Sequence, residues 1–191
     1  MRRATIAAWL ALALPLCAVG PSRAEDKAPH GNYEHLKKLE PLIGTWSGEF
    51  VAPYDHPTAN IKKGDKLTLT VTYKWDLNKS AISNHQTIGR PDSDPVWQST
   101  WLIGWDTANK RIVSFSFEST GGHAVADDCE VRDDKVTLKG KGTDPYGKKT
   151  TFTMVISDVK KDSCVRQMLD VTVDGKKLPD NKMTLKRVKA K

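Results

Sequence analysis

Apolar and polar residues alternate with a period of two along most of the chain after residue 66. In the longest run, Leu67, Leu69 and Val71 fall on one face, and the residues between them are threonines. This alternation is typical of a β-strand with one buried face and one face in water. Turn-forming pairs such as Gly121-Gly122 and Asp174-Gly175 separate such runs. The pattern predicts strands near 45–52, 66–76, 81–88, 97–104, 111–118, 123–131, 135–141, 150–157, 164–173 and 182–188.

The connections between these runs are short, and no helix long enough for a parallel crossover lies between any two of them. Consecutive strands are therefore expected to pair antiparallel, as a meander. An open sheet of about ten strands would leave two exposed edges, which closure removes. We predict an all-β fold, an antiparallel meander closed into a roughly ten-stranded barrel. Its interior could hold one small ligand or could be filled by aromatic side chains.

The large apolar residues are expected to share the inner surface of this barrel. In the run 111–118, this expectation places Phe115 inside, on the same surface as Trp75. Trp75, Trp97 and Trp101 could line an apolar pocket there, or they could simply pack the core.

Residues 1–24 have the pattern of a removable export signal. Arg2-Arg3 gives a positive start, and a short apolar stretch from Ala4 to Val19 follows. Ser22-Arg23-Ala24 places small residues at the two positions that a signal peptidase reads. The apolar stretch is short for a membrane span, so we expect cleavage after Ala24 and no stable membrane insertion. The mature protein is then periplasmic or secreted.

The rest of the chain divides into a flexible leader, residues 25–31, and a barrel domain, residues 32–191. Tyr33, Leu36 and Leu39 recur at near-helical spacing, and Pro41 ends the pattern. The spacing predicts a short amphipathic helix that caps one end of the barrel, or else a loose surface turn.

The charge of the mature chain is mild. The formal net charge of +7 falls to +4 once the signal, with three basic residues and no acidic ones, is removed. The lysines are scattered over turns and outer strand positions, apart from a basic cluster at 186–191. We therefore expect no nucleic-acid partner.

Two cysteines, Cys129 and Cys164, remain after the signal. An oxidising compartment would allow a disulfide between them. The strand count places two strands between them, a separation that opposes pairing unless the barrel end pinches, and the question stays open. The chain has no zinc-ligand spacing and no phosphate-binding loop, so we assign it no metal and no cofactor.

Gly44-Thr45-Trp46 opens the first predicted strand and resembles the start of lipocalins and fatty-acid-binding proteins. The closing segment Lys186-Arg187-Val188-Lys189 is similar to the last strand of fatty-acid-binding proteins, where an Arg reaches into the cavity. Leu102-Ile103-Gly104-Trp105-Asp106 and Lys110-Arg111-Ile112-Val113 extend the likeness to a bacterial family of lipocalin-like, calycin-type barrels of unknown function. The resemblance implies the fold and no particular activity.

Alternation with apolar neighbours places Asn84, Gln86 and Gln167 inside the predicted barrel. A buried polar group needs a partner, so these side chains indicate an internal network, ordered water or the polar end of a ligand. Arg187 could grip a ligand carboxylate through its planar guanidinium, or it could stack on Trp46 and seal the barrel end.

We interpret the chain as an exported barrel that binds a small apolar or amphipathic molecule. One alternative is a hydrolase- or isomerase-type enzyme at the barrel mouth, with His123 and Asp127 as an inward-facing acid–base pair. The other is a ligand-free structural or assembly barrel. We favour binding over catalysis, and the expected ligand-binding residues are Trp75, Trp97, Trp101, Asn84, Gln167 and Arg187.

Overall fold

The computed structural model describes residues 31–91 and 93–189. The predicted export signal, its cleavage site and residues 25–30 of the predicted leader lie outside the described residues. A helical turn, α1 (Tyr33–Leu36), continues as a 3-10 helix at Lys37–Leu42 and leads into the sheet. The strands are β1 (Gly44–Val51), β2 (Lys66–Asp76), β3 (Ala81–Gly89), β4 (Pro95–Asp106), β5 (Arg111–Glu118), β6 (His123–Arg132), β7 (Lys135–Thr143), β8 (Lys149–Ser157), β9 (Ser163–Val173), β10 (Lys176–Lys177) and β11 (Asn181–Arg187).

The strands form a closed antiparallel barrel. Each strand from β1 to β9 pairs with the next one along the chain, as short connections require. β9 also pairs with β11, and β11 returns to β1 with Trp46 opposite Arg187, which completes a ring of ten strands. The short β10 pairs with the end of β9 and lies outside this ring. The predicted all-β, roughly ten-stranded barrel is confirmed.

The helical segment before β1 closes one end of the barrel. Leu36, Leu39 and Leu42 are buried, because a spacing of three keeps them on one side of a helical turn. They pack against Trp46 and Val71 in the largest apolar cluster of the described residues. The indole Nε1 of Trp46 donates a hydrogen bond of 2.7 Å to the Leu42 carbonyl oxygen. The predicted capping helix is confirmed, and the part of the interior that it packs is called the closed end below.

The inner face of β5 is small and polar, so the expectation that Phe115 faces inward is wrong. Ser114 and Ser116 are 0% and 1% exposed, whereas Phe115 is 52% exposed on the outer surface. The cause is the neighbouring strand, where Trp101 lies opposite Ser116 in the β4–β5 register. The indole of Trp101 points inward and occupies the space that a second aromatic residue on β5 would need. Phe115 and the half-buried Trp75 of the closed end therefore lie on opposite surfaces, and the barrel closes nonetheless.

A β-bulge in β6 reverses the predicted orientation of His123 and Asp127. The β6–β7 register shifts between Ala126 and Asp128, so Asp127 is an extra residue in its strand. Before the bulge the buried residues are Ala124 and Ala126; beyond it Cys129 packs on the core. If alternate residues are counted backwards from the inward-facing Cys129, the count crosses the bulge and assigns His123 to the wrong face of the strand.

A second irregularity, in β9, has the same effect on Gln167. Asp170 has a positive φ of 51°, and the β8–β9 register shifts opposite it. Before this point Arg166 and Met168 face the interior, and beyond it Val171 does. Gln167 therefore lies on the outer face, between two inward neighbours, and its predicted inward orientation is wrong.

Candidate ligand-binding cavity

Gln86 of β3 and Arg166 of β9 meet across the barrel interior. Arg166 Nη2 donates a hydrogen bond of 3.1 Å to Gln86 Oε1, and Gln86 and Arg166 are 1% and 9% exposed. Gln86 borders two separate spaces. The first, at the closed end, is a void of about 20 Å³, which is room for a single water molecule. The second is a cavity of about 480 Å³, and the part of the barrel around it is called the open end below.

The cavity at the open end has mostly apolar walls. The connection between β1 and β2 contributes residues 52–58 and Ile61 to its lining, and the turns at 143–148 and 178–179 lie at its rim. Its volume falls in the range of roughly 300–1,000 Å³ that is usual for small-molecule sites. The apolar strand residues of the wall include Leu69, Ile88, Phe152, Met168, Val171 and Met183.

Two of the predicted tryptophans line this cavity. Trp97 is half-buried, and its Nε1 donates a hydrogen bond of 3.3 Å to Glu118 Oε2. Trp101 is buried, its Nε1 donates to Ser99 Oγ at 3.2 Å, and its ring meets Phe152 edge-on with centroids 6.0 Å apart. In both indoles the N–H group donates a hydrogen bond to the protein, and the ring surface forms part of the cavity wall.

The other two inward candidates on β2 and β3 belong to the closed end. Trp75 packs against the core of that end, and its ring centroid lies 5.3 Å from that of Tyr33 in α1. Asn84 is 2% exposed and borders the water-sized void rather than the cavity. Its Oδ1 has no hydrogen-bond partner among the described residues, which fits a water molecule in that void.

Arg187 holds the closed end together. Its guanidinium lies over the Trp46 ring, with Cζ 4.0 Å from the ring centroid. Its nitrogens donate to three backbone carbonyl oxygens, those of Pro41, Ile43 and Lys161, at 2.8, 2.5 and 2.6 Å. Gly44 permits this arrangement, because a Cβ there would lie 2.6 Å from Arg187 Nη1. Of the two roles open for Arg187, the geometry shows the stacked, sealing one.

Arg166 is the site residue that the alternation count missed. Its Nε contacts Met154 Sδ at 3.3 Å, and it forms no ion pair with any described residue. Burial lowers the pKa of its guanidinium, although Arg remains protonated in proteins. The pairing of β9 with β11 indicates which residues of β9 face inward. Arg166 lies opposite Met183 and Cys164 lies opposite Leu185, and both of these β11 residues are buried. Arg166 therefore belongs to the buried row of β9.

Tyr54 and Glu118 are polar side chains in the wall of the cavity. Burial, followed by the charge of Glu118, raises the pKa of the Tyr54 phenol above its ordinary value. Glu118 is itself held by Trp97 and by Thr120, whose Oγ1 donates to Glu118 Oε2 at 3.3 Å. Arg166 is thus the buried cation of the open end, and Tyr54 and Glu118 are a half-buried phenol and a half-buried carboxylate in the same wall. The other ionisable residues of the lining are Asp55, His56, His123, Asp144, Tyr146 and Lys148.

The proposed acid–base pair of His123 and Asp127 does not form. His123 is exposed beside Phe117, and its Nδ1 lies 3.0 Å from Thr143 Oγ1. Asp127 pairs with Lys141 at 3.6 Å on the outer surface. Four residues of extended strand separate the two by about 13 Å, beyond the reach of a proton-transfer pair. This version of the enzyme hypothesis is therefore wrong.

Both cysteines of the described chain are free thiols. Burial, with a smaller contribution from Asp128, raises the pKa of Cys129 to about 12. Burial likewise raises the pKa of Cys164 to about 11. Neither thiol is therefore ionised at neutral pH, and neither lines the cavity of the open end.

The described residues contain neither a helix that could span a membrane nor a cluster of metal ligands. Within residues 31–91 and 93–189, no helix is both long and apolar enough to cross a membrane. In the same part of the chain, no three His, Cys, Asp or Glu side chains gather in a group that could hold a metal ion.

Comparison with known proteins defines the fold and leaves the family open. No protein-family model and no curated protein matches the chain. The barrel is similar to the crystal structure of Rv2717c from M. tuberculosis, with a TM-score of 0.60 and 16% identity over 81% of this chain and 97% of that one. A protein of unknown function from the DUF3598 family of Nostoc punctiforme matches at 9% identity over 79% of this chain and 98% of that one. Its TM-score of 0.19 carries no argument. The chain is thus a closed antiparallel β-barrel, and its resemblance to the bacterial family of lipocalin-like, calycin-type barrels stays a prediction.

Proposed function

We propose that this chain is an exported barrel that binds one small apolar or amphipathic molecule in the cavity of the open end. The observation that carries the proposal is the cavity itself, with its volume of about 480 Å³, its apolar walls and the buried polar contact between Gln86 and Arg166. A concave apolar space with a few convergent polar groups is the usual form of a small-molecule site.

The contrast with the closed end supports binding over a ligand-free structural role. Protein interiors pack densely, and an unfilled apolar space forfeits the dispersion contacts that its lining would otherwise make. The barrel fills its closed end down to a water-sized void, while Trp97 and Trp101 at the open end form wall without filling the space. A molecule of suitable size would restore the missing contacts.

Native mass spectrometry of the protein purified from its own organism tests the proposal. Met168 and Gln167 are chain neighbours on opposite faces of β9, so they offer a matched pair of substitutions. We expect a non-covalently bound mass on the wild type and on Gln167→Trp, and its loss in Met168→Trp, where the indole would fill the cavity. No bound mass on the wild type, or an equal mass on both variants, would reject the proposal.

Tryptophan fluorescence locates the binding event within the barrel. On addition of decan-1-ol, an uncharged amphipathic probe, we expect the emission maximum to shift in the wild type and in Trp75→Phe. The shift should be lost when Trp97 and Trp101 are both replaced by Phe, because these two indoles line the cavity. A shift that depends on Trp75 would place the probe at the wrong end.

The export part of the proposal has its own test. The intact mass of the protein recovered from its own organism should correspond to a chain that begins at Glu25. A mass that retains the first 24 residues would contradict export by a cleaved signal.

A further inference from the structure

We propose that Arg166 and Gln86 form an anion-binding subsite that takes the carboxylate of an amphipathic organic monoanion. The inference rests on the proposed function, because it names the chemical class of the ligand that the cavity holds.

Arg166 carries a buried positive charge that no carboxylate of the described residues neutralises. Among the described residues, Arg90 and Arg111 pair with Asp65 and Asp106 at 2.8 and 3.8 Å, and Arg132 pairs with Glu130. Arg187 is compensated by backbone carbonyl oxygens. Arg166 contacts only a thioether and an amide oxygen, although it is among the most buried of these guanidinium groups. A buried charge without a partner is costly, and a bound anion would remove that cost.

Two hydrogen-bond donors of the Gln86–Arg166 contact have no acceptor among the described residues. Gln86 uses its Oε1 to accept from Arg166, so its amide nitrogen points elsewhere, and Gln86 Nε2 has no partner among the described residues. Arg166 uses Nε and Nη2, which leaves Nη1 without a hydrogen bond to a described residue. These two free donors belong to side chains that are hydrogen-bonded to each other, and a guanidinium nitrogen together with an amide nitrogen can donate to the two oxygens of a carboxylate.

The remaining lining defines the rest of the ligand. The wall beside Arg166 is built from side chains such as Phe152, Met168 and Met183, so the body of the ligand is apolar. Glu118 places a negative charge on the same cavity, which opposes a second negative charge on the ligand. A monocarboxylate therefore fits better than a phosphate monoester, which carries nearly two charges at neutral pH.

The test is a calorimetric titration of the delipidated mature protein with three probes of equal chain length: decanoate, decan-1-ol and decyl phosphate. We expect decanoate to bind tighter than decan-1-ol by on the order of tenfold to a hundredfold, the usual range for a charge-assisted hydrogen bond. Decyl phosphate should bind more weakly than decanoate.

Substitution of the subsite should remove the preference and keep the binding. In Arg166→Met the affinities for decanoate and decan-1-ol should converge, while Gln167→Met, the neighbouring change on the outer face, should leave both as in the wild type. Gln86→Met keeps the charge, removes one donor and should weaken decanoate by a smaller factor without affecting decan-1-ol. This third variant decides the matter if Arg166→Met does not fold.

The outcomes separate the two proposals. Equal binding of decanoate and decan-1-ol by the wild type, or a preference that survives Gln86→Met and Arg166→Met, overturns the anion subsite and leaves the binding barrel standing. Tighter binding of decyl phosphate than of decanoate overturns the carboxylate assignment. Failure of all three probes to bind, together with the absence of a co-purified mass, counts against the proposed function itself.

Discussion

The closed and open ends of this barrel are built from the same strands, yet one is packed and the other is hollow. At the closed end, leucines of the helical segment meet Trp46 and the inner residues of β2, and only a water-sized void of about 20 Å³ remains. At the open end the helical contribution to the lining is a single 3-10 turn, Pro57–Ala59, and about 480 Å³ stays unfilled. The contact between Gln86 and Arg166 lies where the two regions meet. On the proposed function, stability and binding depend on different halves of one interior, so substitutions in the two halves should have different effects.

The largest expected effect is loss of stability at the closed end. Trp46→Ala removes a fully buried indole, its hydrogen bond to Leu42 and its stack with Arg187, and should lower the free energy of unfolding by about 3–5 kcal/mol. Trp97→Ala, at the open end, should cost less than half as much, because that indole already borders empty space. Urea unfolding of the two ligand-free variants measures both changes in the free energy of unfolding. Equal losses would contradict the view that the closed end is packed for stability and the open end is not.

The next effect separates the two interior arginines. Arg187→Met removes three hydrogen bonds to backbone carbonyls and a cation–π contact, so we expect a loss of about 2–3 kcal/mol in unfolding free energy. Decanoate affinity should not change, since Arg187 does not line the cavity. If Arg187→Met kept its stability but bound decanoate more weakly, Arg187 would instead be a residue that binds the ligand carboxylate.

A gain in stability is expected at the boundary between the ends. Replacing both polar partners in Gln86→Leu/Arg166→Met removes the uncompensated charge and leaves no orphaned acceptor. We expect the ligand-free protein to gain about 1–2 kcal/mol, at the low end of what replacement of buried ionic groups yields. A comparable loss in thermal or urea unfolding would mean that the contact exists to hold the barrel rather than to bind an anion.

The smallest effect is a decline in stability at alkaline pH. The pKa of Cys129 is raised from 9.0 to about 12 and that of Tyr73 from 10.0 to about 12, in both cases chiefly by burial. Raised pKa values mean that the unfolded chain loses these protons first, so the stabilising contribution is complete below about pH 9 and is lost as the pH rises towards 12. For Cys129 the loss amounts to roughly 1 kcal/mol by about pH 10. Cys129→Ala should show a shallower decline between pH 8 and 10 in thermal melts at a series of pH values, and an unchanged slope would contradict the assignment.

The barrel itself was predictable because its signals are local. Alternation such as that of Leu67, Leu69 and Val71 gives a strand with one buried face, and short turns leave antiparallel pairing as the simple connection. Gly44-Thr45-Trp46 and Arg187 also indicated correctly where the first and last strands meet. The strands and their pairing require no knowledge of a distant neighbour, whereas the meeting of Trp46 with Arg187 was indicated by the resemblance to known barrels.

The site was harder to predict, because it depends on which face of each strand turns inward. On β5 the larger side chains face outward, since Trp101 on the adjacent strand already fills the inner space opposite Ser116. On β6 and β9, extra residues at Asp127 and near Asp170 shift the alternation, and a count from the far side of a bulge gives the wrong face. For this reason the alternation points to Gln167 rather than to Arg166. The sequence alone carries no mark of either bulge, whereas the pairing of β9 with β11, which sets Arg166 opposite the buried Met183, shows which face of β9 turns inward.

A crystal structure of the mature protein, purified from its own organism without delipidation, tests the central claim most directly. We expect electron density for a bound molecule in the cavity of the open end, with an acceptor atom within hydrogen-bond distance of both Arg166 and Gln86 Nε2. A cavity filled by the protein's own side chains, or a bound molecule at the closed end beside Trp46, would contradict this account.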